Sequence, residues 1–310
     1  MELINKYNGA VFFVDMLGIG ALTNNLLKLN DNDYGCWLDE HHIDHNPQYL
    51  AAALLAKFRE VLVSVHGEVA GVTISQLSDC AFIWSQNITD VVLFASKFMN
   101  MAIYEGLLCR GGLAYGEIVE TQQDHSLGRF IVGNAVTAAA NLEKTAKGAR
   151  VLINQELPIE LWEQNKKFSE LIYPVFAPFT NPLDYTVYDE FKWYLCPDIT
   201  GDIESLSLKS NDRKVQNDKL NFTKQRLKIA NFVRCSPKFG WNDSSNQGLI
   251  QVIATINFIA ENMLLDVYHD FDWSNITGKR SNDTVLTVNR MIDEDEAYKI
   301  KLVSANVEQD

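Results

Sequence analysis

The chain has 310 residues, a formal net charge of −13 at pH 7, and 47% hydrophobic against 22% charged residues, the balance of an ordinary globular protein. That acidity argues against nucleic acid or an anionic membrane surface as the main partner, since both recruit clustered Lys and Arg. A phosphorylated small molecule stays open, because cations can supply positive charge locally.

No apolar run of about eighteen residues offers a membrane span. Five widely spaced cysteines (Cys36, Cys80, Cys109, Cys196, Cys235) form no C-x-x-C pair. With their odd count and no signal-like leader, the expected compartment is the reducing cytoplasm.

Residues 1–9 read as a lead-in and 10–16 as the first strand. There Ala10, Val11, Phe12, Phe13 and Val14 run straight into Asp15. A carboxylate closing a buried strand needs a partner or a metal. The turn that follows, Met16, Leu17, Gly18 and Ile19, offers backbone amides to an anion. Residues 21–46 are polar and irregular. They include Asp39–His45, DEHHIDH, whose His41 and His45 would share a face if helical, one zinc-ligand spacing. No further ligand cluster accompanies them, so a solvated loop is the other reading.

Pro47 to about Val65 is a helix with Leu50, Leu54, Phe58, Val61, Leu62 and Val65 at helical spacing. Residues 68–85 form two strands about Leu77-Ser78-Asp79. If these strands lie beside the first, Asp15 and Asp79 meet and form a divalent cation site. A helix over 88–107 and a strand over 107–119 follow, the strand carrying Arg110, Gly111, Gly112 and Gly116. Glycines there mark close approach by a ligand or another backbone. Gln122–Gly128 is a polar turn, and 129–147 enters a helix near Gly133. Thr137, Asn141 and Lys144 share one face of it; Ala135, Ala138, Ala139 and Ala140 permit close packing.

Strand Arg150–Ile153, helix Leu157–Gln164 and strands at about 168–178 and 184–195 complete an α+β fold with helices packed on a sheet. After Pro197 the composition shifts, giving a division into 1–197 and 198–310. Residues 198–224 are a helix end and linker, Leu249–Tyr268 an apolar helix for packing or dimerisation, and the tail from Asp293 is acidic.

Two carboxylates at strand ends suit a two-metal site, with cations about 3.5–4 Å apart acting on a displacement at phosphorus. They are equally readable as turn acids, Asp79 especially. Arg110 could reach phosphate oxygens with its planar fork, or make an ion pair.

The segments FVDMLG (13–18), LSDCAF (77–82), RGGLAYGE (110–117) and VGNAVTAAANLEKTAKG (132–148), in this order, resemble the class III nucleotidyl cyclases over about residues 10–195. The resemblance implies a ferredoxin-like palm with an antiparallel-rich sheet, followed here by a C-terminal helical extension. It implies two Mn²⁺ or Mg²⁺ ions held by Asp15, Met16 and Asp79. Met16, Leu17, Gly18 and Ile19 would lie along the phosphates, and Arg110 would contact the triphosphate.

Departures from the pattern matter. Ser75 stands where the purine-reading lysine falls, Phe130 at the purine-reading aspartate, Thr137 at the catalytic asparagine and Asn141 at the transition-state arginine. Lys144, one turn beyond Asn141, is a candidate substitute for the missing charge.

Within the family the chain is most similar to the pyrimidine cyclases of bacterial Pycsar anti-phage systems. The -V-D-M-L-G- opening, -S-D- for -G-D-, and a Trp-containing last strand (Lys192–Pro197) carry that likeness. It implies a homodimer with sites at the interface, UTP or CTP as substrate, and a cyclic UMP or cyclic CMP product read by a separate effector protein. A catalytically silent cyclase-like module and a metal-dependent phosphohydrolase on another fold are the rival readings. The latter calls for further His or Asp ligands beside the pair.

Overall fold

The structure is a computed structural model that describes residues 4–121, 130–181, 185–195 and 213–260. Its elements are β1 (Ile4–Met16), α1 (Ile19–Thr23), α2 (Asp31–Leu38), α3 (Pro47–Glu68), β2 (Thr73–Leu77), β3 (Cys80–Ser85), α4 (Ile88–Glu105), β4 (Cys109–Thr121), β5 (Ile131–Val132), α5 (Asn134–Thr145), β6 (Val151–Ile153), α6 (Glu156–Gln164), α7 (Lys166–Ile172), β7 (Phe176–Thr180), β8 (Val187–Phe191), α8 (Arg213–Cys235), α9 (Gly240–Asp243) and α10 (Asn246–Ala260).

One sheet in the order β2-β3-β1-β4-β6-β8-β7, with β5 on β4, makes this an α+β fold. Every pairing is antiparallel except β4 with β6. The central strand β1 presents Ala10, Phe12, Val14 and Met16 to a large core that also takes in Leu54 and Phe58 of α3 and Phe94 and Phe98 of α4. Its alternate residues Val11 and Phe13 face a smaller cluster with Trp84, Ala114, Ala135 and Ala139, closed by α5. A Cβ on Gly112 would fall 2.0 Å from the Ala139 carbonyl oxygen, so that glycine lets α5 lie on β4.

Several boundaries differ from the sequence reading. The lead-in is strand from Ile4, because Ile4–Tyr7 pairs with Ile118–Thr121. The irregular 21–46 stretch contains α2, started by Asn30, whose side chain accepts from the amides of Asn32 and Asp33 while Asp33 caps back. The strand expected at 168–178 begins as helix α7, because the Asn165 side chain caps the Phe168 amide; only Phe176 onward is strand.

The expected tryptophan strand is a 3-10 turn over Trp193–Leu195, with the Trp193 indole donating to the Ala149 carbonyl at 2.8 Å. Cys196 and Pro197 lie outside the described residues. So do the 122–128 turn, the end of the 249–268 helix beyond Ala260, and the acidic tail. From Arg213 the expected linker is helix α8.

Phe222, Ile229, Val233, Phe239, Trp241, Val252 and Phe258 from the C-terminal helices share the main core with the sheet. Among the described residues no helix is long and apolar enough to cross a membrane.

Candidate active site at the end of the central strand

Asp15 pairs across the sheet with Cys80 on β3 and with Arg110 on β4, so three strands deliver their side chains to one point. Asp79 reaches the same point from the β2–β3 bend: its carbonyl accepts the Met16 amide at 2.9 Å. Ser78 takes a left-handed conformation (φ 56) to make that bend, and its carbonyl accepts from Gln76 at 2.9 Å. Asp79 and Asp15 are both half-buried. Asp15 and Asp79 therefore lie at the same end of the sheet, near enough for the charge of Asp79 to act on Asp15.

Electrostatically this point carries excess negative charge. Burial, then Glu143 and then Asp79 push the Asp15 carboxyl up to about 7, against the lowering pull of Arg110. Burial and the same three carboxylates push the Cys80 thiol up to about 11, so it stays protonated. A divalent cation would relieve this crowding, and oxygen donors suit Mg²⁺ or Mn²⁺. Among the described residues no group of three His, Cys, Asp or Glu could hold a metal alone. A two-carboxylate site fits ions that complete their shells with water and substrate phosphates. The Met16 side chain is buried in the core, leaving only its backbone to contribute.

Glu143 was not picked out from the sequence. It lies on the buried face of α5 with Ala135 and Ala139, where an unpaired carboxylate is costly. That placement was the available signal. Its Oε1 accepts from Arg110 Nε at 2.7 Å and also pairs with Arg110 Nη2, while Nη1 donates to the Ala146 carbonyl at 2.9 Å. Arg110 is thus held inside the chain beside Asp15, with 12% of its side chain exposed.

The turn after β1 differs from the expected anion cradle. The Met16 amide is taken by Asp79, and the Leu17 amide donates to the Leu108 carbonyl at 2.8 Å. Gly18 (φ 95) and Ile19 begin α1.

Ser75 shares the Asp15 face of the sheet, in the row Ser75–Phe82–Phe13–Gly112. Phe13 and Phe82 lie with ring centroids 4.5 Å apart. The remaining predicted residues stand apart. Thr137, Asn141 and Lys144 are exposed on the outer face of α5, away from the Ala135–Ala139–Glu143 face that meets the sheet. Phe130 is 55% exposed beside Thr121, roughly 35 Å along β4 from Arg110. One copy of the chain does not assemble these with Asp15.

His41 and His45 share no helical face. His45 Nε2 contacts Asp39 at 2.9 Å and its Nδ1 contacts Asp31 at 3.4 Å, and both acids raise its pKa; its ring stacks on Tyr34 with centroids 5.2 Å apart. A cleft of about 490 Å³ between α2 and α3 is lined by His41 but by none of the residues predicted for the nucleotide site.

Among solved structures, similarity is found to a double-mutant guanylyl cyclase domain of the RhoGC fusion protein from the aquatic fungus Blastocladiella emersonii. Identity is 16% and the TM-score 0.43, over 61% of this chain and 98% of that one. Others are the adenylyl cyclase CyaB from P. aeruginosa (16%, TM-score 0.40, 62% and 95%) and the guanylate cyclase domain of RhGC from Catenaria anguillulae in complex with GTP (16%, TM-score 0.40, 60% and 97%). No family model matches the sequence and no curated protein matches it.

Proposed function

We propose that the chain is a nucleotidyl cyclase that converts a pyrimidine nucleoside triphosphate, UTP or CTP, to its 3′,5′-cyclic monophosphate and diphosphate. The observation that carries this reading is the convergence of Asp15 and Asp79 at the end of β1, with burial and neighbouring acids holding the Asp15 proton. The motif resemblance supplies the reaction class and the pyrimidine preference. In that reading the product is a second messenger of anti-phage defence, read by a separate effector protein.

The reaction is intramolecular. The ribose 3′-oxygen forms a bond to the α-phosphorus, the bond from that phosphorus to the bridging oxygen of diphosphate breaks, and the hydroxyl proton leaves to solvent or to a carboxylate. Asp15 and Asp79 would hold Mg²⁺ or Mn²⁺, which when bound lowers the hydroxyl pKa and neutralises charge on the leaving group. Arg110, fixed by Glu143, keeps a positive charge beside Asp15; it reaches a triphosphate only if that pair opens.

Thr137, Asn141 and Lys144 face outward, as residues supplied to a second copy would. A homodimer with sites at its interface follows from this reading. Ser75 puts a small hydroxyl where a base edge would lie, and most of the catalysis is positioning.

A silent nucleotide-binding module is the second reading, favoured by Asn141 in place of a guanidinium. Incubation with each of ATP, GTP, CTP and UTP plus Mn²⁺, with products resolved by mass, decides between them. One cyclic pyrimidine monophosphate is expected, reduced at least about 10²–10³-fold in Asp79→Ala. No turnover of any nucleotide would sink the cyclase reading.

A further inference from the structure

Outside the cyclase-like segment, the helices α8 to α10 make two contacts that reach the candidate site. The first is under the turn after β1. A Cβ on Gly18 would lie 2.9 Å from Cζ3 and 3.0 Å from Cη2 of Trp241, so the far edge of the indole abuts the backbone of that turn. Trp241 is 1% exposed, and a cavity of about 110 Å³ lies beside it, lined in part by Leu17, Gly18, Asn242 and Gln251. Its Nε1 makes no hydrogen bond, so the ring is held there by shape.

The second contact is at the loop after α5. Gln251 Oε1 accepts the Gly148 amide at 2.7 Å, and Thr255 Oγ1 accepts the Ala149 amide at 2.8 Å. That loop carries the Ala146 carbonyl, which receives Arg110 Nη1, and the Arg150 carbonyl, which receives the Gly111 amide at 2.9 Å. The same C-terminal unit therefore fixes both flanks of the Asp15–Arg110 point: the Leu17–Gly18 turn by packing, and the seat of Arg110 by two hydrogen bonds, one buried and one part-buried.

We propose that Trp241, with Gln251 and Thr255, are positioning residues of the nucleotide site, and that the C-terminal helices brace the Leu17–Gly18 turn and the seat of Arg110 on either side of Asp15. This rests on the nucleotide reading above. The geometry points to binding of the triphosphate as the step affected, because both braced elements flank Asp15, which would hold the cation that the triphosphate shares. A shift of about 1 Å in such elements is enough to cost up to about 10²-fold in rate.

The test uses the full chain carrying Trp241→Phe, which removes no hydrogen bond yet withdraws the ring edge from Gly18, and separately Thr255→Val, which unties the Ala149 amide. Each is read by KM and kcat for the pyrimidine triphosphate that the wild type turns over, by Tm, and by tryptophan fluorescence during titration with that triphosphate. Expected for Trp241→Phe is a rise in KM of about tenfold at nearly unchanged kcat, beside a fall in Tm from the emptied core volume, with loss of part of the wild-type fluorescence response.

A KM equal to the wild type in both variants would overturn the proposal, as would a response confined to Tm. Should Trp241→Phe fold poorly, Thr255→Val decides alone, through the other flank. Wild-type protein that neither turns over nor binds any nucleotide would instead defeat the functional reading beneath it, a result visible before any variant is made.

Discussion

The two faces of the central sheet use the same strand for different ends. On one face Phe12 of β1 joins Phe58, Phe94 and Phe98, with ring centroids 5.5 to 6.3 Å from Phe98, and two long helices exclude water. On the other, Phe13 and Phe82 are only half-buried, Leu77 is 72% exposed, and α5 packs chiefly on β4 and β1. Because side chains alternate along a strand, the residues that stabilise β1 and the carboxylate that ends it never compete for the same space. A charged group can close a core strand without entering the core.

Aromatic truncation should break the symmetry of the two faces most strongly. Phe98→Ala, wholly buried, is expected to cost about 3–5 kcal/mol in chemical denaturation. Phe82→Ala on the open face should cost about 1 kcal/mol, since much of that ring already meets solvent. Equal losses would mean that the open face is covered in solution, and a second copy of the chain would be the first candidate for the cover.

A smaller effect separates the faces by pH. The Asp15 carboxyl titrates at about 7 in the folded chain against 3.8 ordinarily. Between those values the unfolded chain has lost this proton while the folded chain keeps it. The unfolded state then binds fewer protons, and stability falls as pH rises through that window, levelling above about 7. Asp15→Asn removes the titrating group. In metal-free buffer the variant should gain Tm over wild type by several degrees from pH 4 to 7, then hold that lead. A difference independent of pH would show that neither burial nor Glu143 and Asp79 raises the Asp15 carboxyl.

What the sequence made legible follows from these two faces. The strand ending in Asp15, the hairpin bearing Asp79 and the helix of Thr137 and Asn141 all carry strong local patterns, an apolar run, a turn and helical spacing. Glu143 carried none that points to Arg110, because their meeting depends on how α5 crosses β4, which Gly112 permits. Likewise the Phe168–Ile172 stretch has strand-like content but is decided by one capping side chain, Asn165. Trp241 against Gly18 joins residues far apart in the chain, and composition alone gave no hint of it. Local chemistry was readable; partners set by packing were not.

The smallest expected effect on stability bears on the largest question about the site. Thr137 and Asn141 are exposed on α5, and Thr137 Oγ1 only bonds back to the Gly133 carbonyl at 3.2 Å. Among the described residues their side chains support no core contact, so Thr137→Ala and Asn141→Ala should each stay within about 0.5 kcal/mol of wild type. If they serve the site of a partner copy, turnover should nevertheless fall in each. Mixing Asn141→Ala with Asp79→Ala then restores activity, because one of the two sites in the mixed dimer draws Asp79 and Asn141 from the undamaged half of each chain. Were both residues used within one chain, every site in the mixture would lack one of them and no activity would return. The outward face of α5 and the open face of the sheet would then have to be explained without a second copy, and the contrast between the two faces would be one of packing alone.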